Sequence, residues 1–67
     1  MDIKELSEML LPIQREFAKH RDEAGELSER NITNSDFDMY WYYSGKKDAY
    51  QESIKLIAHL IYNKLNE

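Results

Sequence analysis

Residues 3–27 read IKELSEMLLPIQREFAKHRDEAGEL, and the fold turns on their periodicity. Apolar side chains recur at Ile3, Leu6, Leu10, Ile13, Phe17, Ala24 and Leu27, in steps alternating between three and four, with His20 in the remaining position. That spacing is the seam of a helix packed along another helix. Four repeats with seven of eight seam positions apolar predict a helix over about residues 2–30. Asp2 and Glu5 form a D-x-x-E capping box at its start. Pro12 interrupts the seam. It has no amide hydrogen and its ring clashes with the carbonyl four residues back, so the helix either kinks near Glu8 or restarts with Pro12 in its first turn. The seam keeps its register across the proline, which favours a kink.

Outward from this segment, RNITNSD (residues 30–36) is a turn. Its Asn, Thr and Ser side chains compete for backbone hydrogen bonds. Ser35 with Asp38, or Thr33 with Asp36, can cap a second helix, expected over about residues 35–65. In that helix Tyr50, Ile54, Ile57, Ile61 and Leu65 form one stripe, which Met39 and Tyr43 extend backwards. A second stripe, Tyr42, Ala49, Ser53, Leu56 and Leu60, lies about 100° around the helix. The combined arc is too wide for one partner helix. Either long side chains of the first helix cover both stripes, or something else covers the second.

The expected fold is therefore all-α: one antiparallel helical hairpin over residues 1–67 that dimerises into a four-helix bundle. Ile3, Leu6, Leu10, Ile13, Phe17, Tyr50, Ile54, Ile57, Leu60 and Ile61 supply its core and dimer contacts. Chain length supports the dimer. Below about 70–80 residues a single core supplies only about 3–5 kcal/mol. With 67 residues and no cysteine, disulfides and thiolate metal sites are excluded, and oligomerisation is the remaining staple.

The stretch DMYWYYSGKK (residues 38–47) sets four aromatics side by side, more than one helix face can bury. The wheel sends Tyr43 inward, Tyr42 to the second stripe, and Trp41 with Phe37 in a third direction. Trp41 then either docks against small Ala24 and Gly25, joins a dimer contact, or anchors a partner. Gly45 costs about 1 kcal/mol against alanine in a helix, so it either breaks the second helix or admits the close approach of another. Close approach is expected, because the pattern continues without a cap.

Charge narrows the function. The net charge is −4, unlike the basic surface that phosphate neutralisation requires, and nucleic acid is not the expected partner. Residues 22–38 hold six acids and one base. An acidic end beside aromatics suits a partner protein with a basic surface, and Phe37, Tyr40, Trp41, Glu26, Glu29 and Asp36 are the expected contacts. Apolar residues make up 42%, enough for a globular chain, yet no run approaches the ~18 residues of a membrane span. The N-terminal stretch carries acid early and reads as no signal peptide, so a cytoplasmic location is expected.

No catalytic, cofactor or metal site is expected. His20 and His59 fall far apart in a hairpin, and His20 reads as a partly buried, hydrogen-bonded seam residue. Glu23, Glu26 and Glu29 form E-x-x-E-x-x-E, which resembles the magnesium-binding carboxylates of the all-α nucleotide pyrophosphohydrolases. The resemblance implies a magnesium-dependent nucleotide hydrolase as one alternative, but these acids fall on a solvated face. Lys46, Lys47 and Lys55 raise another, a small dimeric DNA-binding regulator. WYYSGKKDAYQESIKLIAHLI (residues 41–61) resembles the C-terminal helix of small uncharacterised accessory proteins from phages and mobile elements of low-GC Gram-positive bacteria. That resemblance implies a non-enzymatic regulatory or inhibitory protein that acts by binding another protein.

Overall fold

A computed structural model describes residues 2–66 as two helices, α1 (Ile3–Thr33) and α2 (Phe37–Leu65), folded back on one another. α1 starts where the cap predicts: Asp2 Oδ1 accepts from the Glu5 amide at 2.8 Å. It then runs unbroken through Pro12, so the alternative of two separate helices does not hold. It also outlasts its expected end by three residues, because Asn31 and Thr33 turn their side chains back on the helix. Asn31 Nδ2 donates to the Leu27 carbonyl at 2.7 Å and Thr33 Oγ1 to the Glu29 carbonyl at 2.9 Å.

The reversal is a Schellman turn. The Asp36 amide donates to the Asn31 carbonyl at 2.8 Å and the Ser35 amide to the Ile32 carbonyl at 3.1 Å. Ser35 carries the left-handed conformation, φ 59°, that this turn normally gives to glycine. Asp36, not Ser35 or Thr33, caps α2, accepting from the Met39 amide at 3.2 Å. That places the start of α2 two residues later than expected.

The helix pair is long and thin, with a radius of gyration of 15.3 Å against about 11 Å for a compact chain of this length. Its register comes from cross-helix contacts. Gln14 Nε2 donates to the Ile54 carbonyl at 3.3 Å, Phe17 meets Tyr50 with ring centroids 6.0 Å apart, and Arg21 Nη1 donates to Gln51 Oε1 at 2.8 Å. Residues whose numbers add to about 70 therefore lie level with each other.

α2 packs against α1 to one side of the sequence seam. The Ile3, Leu10, Phe17 and Ala24 row meets it, but so does the more polar row Ser7, Gln14, Arg21 and Ser28, all buried or half-buried. The other seam row turns away: Leu6 and Leu27 are half-buried, Ile13 is 47% exposed and His20 is exposed. On α2 the first stripe packs inward as expected at Tyr50, Ile54, Ile57 and Ile61, while Met39 and Leu65 are exposed. The second stripe stays open, with Leu56 64% and Leu60 56% exposed, so the side chains of α1 do not cover both. Among the described residues only Ala24, Ser28 and Ile57 are buried, and no large side chain is fully enclosed.

Gly45 corrects an expectation. A Cβ there meets nothing within 4 Å, so the glycine serves no approach of α1. The close contact is at Gly25, whose Cβ position lies 3.7 Å from Lys47 Cδ.

Three substitutions test this local reading by urea denaturation. Gly45→Ala is expected to add about 1 kcal/mol, since the new methyl meets open space. Ser35→Gly should add about 1 kcal/mol by relieving the left-handed backbone. Pro12→Ala restores an interior helix hydrogen bond and should add up to about 3 kcal/mol.

Candidate functional site

The hairpin has two broad sides, distinguished by which rows they carry. On the open face, His20, Glu23 and Leu27 of α1 border a shallow hollow with Tyr43, Lys46 and Tyr50 of α2. Residues seven apart share a row on packed helices, so Leu6 and Ile13 extend this face along α1, and Ser53 and Leu60 extend it along α2. Tyr42, Ala49 and Leu56 flank it. On the back face lie the Arg21–Gln51 hydrogen bond and the Gly25–Lys47 contact. The same spacing carries this face to Ile32 on α1 and to Phe37 and Ser44 on α2, with Trp41 at its outer edge.

This arrangement accounts for the aromatic run. Tyr40 and Tyr43 are half-buried against α1. Tyr42 lies beside the open face, its ring edge-on to Tyr43 at 5.0 Å, with Lys46 Nζ 5.4 Å above it. Trp41 projects the other way and is 69% exposed, so it does not dock on Ala24 and Gly25. Its indole packs edge-on against Tyr40 at 5.1 Å, which holds it without covering it. Phe37, one turn earlier, is 57% exposed. Such a pair offers apolar area on a rigid helix, the form in which aromatic anchors contribute to interfaces.

The acids are distributed unevenly around this pair. Glu26, Glu29 and Asp38 are exposed near the turn, and Asp48 is exposed on the row that carries Trp41. Asp36 is committed to capping α2. Asp22 accepts from Arg21 Nε at 3.0 Å. The lysines that sequence places outside the acidic segment fold back beside it: Lys47 lies over Gly25, and Lys46 sits on the open face. The acidic excess at the turn end is therefore partly offset on both sides of the hairpin, by Lys47 on the back face and Lys46 on the open face.

Other candidate groups lie apart. Glu23 contacts His20, with Glu23 Oε2 3.8 Å from His20 Nδ1, while Glu26 and Glu29 border a shallow hollow with Arg30, Thr33 and Asn34. Among the described residues no cluster of three His, Asp or Glu side chains is placed to share a metal ion. His20 is exposed rather than partly buried, stacked on Tyr50 at 5.4 Å. Lys46, Lys47 and Lys55 spread around about half of the helix circumference and form no common patch. Lys55 pairs with Glu52 at 3.4 Å. No described helix is long and apolar enough to cross a membrane. Sequence reasoning missed the inward roles of Gln14 and Arg21; polar residues one step beside an apolar row were the available signal.

Comparison with family models, with curated proteins and with solved structures finds no match.

Trp41 is the chain's single tryptophan, so fluorescence reads this site alone. Acrylamide should quench it nearly as efficiently as a free indole. Trp41→Ala should change unfolding stability by no more than about 0.5 kcal/mol, as for an exposed position.

Proposed function

We propose that this chain is a small regulatory or inhibitory protein that acts without catalysis, by occupying a basic surface on another protein, and that it does so as a homodimer built into a four-helix bundle. The observation that carries this reading is the pair Phe37 and Trp41. They are exposed on successive turns of one helix, which also exposes Asp38 and Asp48, while Glu26 and Glu29 are exposed on α1 near the turn. The apolar rings supply contact area, and the carboxylates favour a cationic partner and speed its encounter. The likeness of residues 41–61 to accessory proteins of phages and mobile elements supports the same class and a cytoplasmic setting. The homodimer is supported by the open face, where apolar side chains of both helices have no cover within one copy. A bend at Pro12 belongs to this reading, because prolines kink the helices that carry them.

The test is an affinity capture from host lysate with wild type beside Trp41→Ala, followed by titration of the captured protein. Trp41→Ala should cost about 2 kcal/mol or more of binding while the helical signal persists. Glu26→Gln with Glu29→Gln should slow association and flatten its salt dependence. Unfolding or dimer loss in Trp41→Ala with an unchanged set of captured proteins would contradict the reading.

A further inference from the structure

We propose that the second copy covers the open face with its own open face, both turns at the same end, so that α1 of each copy lies on α2 of the other. This rests on the homodimer reading above and adds the surface and the arrangement.

The open face has the size a stable dimer needs. The hairpin measures 49 × 16 × 11 Å, so its broad side has an outline of about 800 Å², comparable to what one partner contributes to a specific interface. It also has the right aim. On α1 the seam is two rows: one meets α2, and the other, Leu6, Ile13, His20 and Leu27, points out through the open face. α2 repeats this, with Tyr50 and Ile57 inward and Ser53 and Leu60 outward. Each seam therefore bisects the angle between its partner helix and the open face. A helix in a four-helix bundle has two neighbours at right angles and a core between them, which is the direction these seams take.

Charge selects the arrangement. Two identical faces stack about a two-fold axis that runs either across the helices or along them. An axis across the helices sets the turns at opposite ends and lays α1 on α1. With the faces fully overlapped, Glu16 then falls within about one turn of Glu23 of the other copy, twice over, and Lys46 falls on Leu56. An axis along the helices keeps both copies at one height, so the register of the hairpin carries across the interface. Ile13 then lies level with Leu56, Leu6 and Leu10 flank Leu60, and Glu23 lies level with Lys46 of the other copy. Opposite charges meet in place of like ones, and aliphatic side chains meet each other. The Trp41 surfaces stay uncovered on the two back faces, at the same end of the bundle.

The chain has no cysteine, so Asn34→Cys gives one thiol, at the turn, for a nitroxide label. Pulsed dipolar resonance should read one distance between copies, within about 30 Å, as expected for labels at one end of a bundle with 8–10 Å between helix axes. A distance near or above the 49 Å length of the hairpin would overturn the arrangement but keep the dimer. A monomer without a dipolar signal would overturn both. Charge exchange gives an independent reading. Glu23→Lys and Lys46→Glu should each weaken the dimer about tenfold, and their combination should restore it. A double variant weaker than either single one would contradict the Glu23–Lys46 contact. Trp41→Ala should leave the label distance unchanged, so loss of partner binding and loss of this arrangement are separable.

Discussion

Two helices lying side by side can enclose only one line of contact, and this constraint governs the molecule. Along that line Leu10, Phe17 and Ala24 meet Tyr43, Tyr50 and Ile57, yet among the described residues only Ala24, Ser28 and Ile57 are buried. The surface of 5120 Å² exceeds the roughly 4,500 Å² of a compact monomer of this mass. Hydrophobic stabilisation scales with apolar area removed from water, so a thin hairpin is left with little to offset the entropy of ordering its chain. A second copy on the open face, as proposed, would offset that deficit without changing the hairpin.

Which rows meet is decided at the reversal. The Schellman bonds from Ser35 and Asp36 set the angle at which the chain leaves α1, and Asp36 starts α2 at once. Gln14 and Arg21 then fix the side of α1 that α2 takes, each by a hydrogen bond across the pair. Everything downstream follows in steps of about 100° per residue. Tyr43 goes inward, Tyr42 to the open face and Trp41 to the back. One helical geometry thus sends four adjacent aromatics to different sides of the pair, Tyr40 and Tyr43 toward α1 and Trp41 and Tyr42 to solvent.

The helices, their order and the excess apolar arc were legible in the sequence, because periods of three and four are direct consequences of helix geometry. The seam itself was legible; the direction it faces was not. Seven apolar positions in eight say that a row is buried in something, but not whether in one neighbour or between two. The inward turn of Arg21 and Gln14 depends on acceptors contributed by Gln51 and Ile54, thirty and forty residues away. Gly45 misled because a glycine within a helical pattern invites a packing explanation, and here its surroundings are empty. For the candidate site, the separate direction of Trp41 and Phe37 followed from the wheel, but whether Trp41 docks on α1 or stays exposed did not. The return of Lys46 and Lys47 beside the acidic segment did not, since it depends on the register of the fold.

The central claim, that a second copy completes the core, is tested most directly by thermal unfolding across a wide range of protein concentration. When folding and association are one reaction, the midpoint rises with concentration by mass action. For a hairpin whose core is completed by a second copy, the midpoint of helix loss rises steadily with concentration and helicity is marginal at high dilution. A cooperative transition whose midpoint stays fixed under dilution, in a species of 8.0 kDa, would show that the hairpin stands alone and would contradict the account.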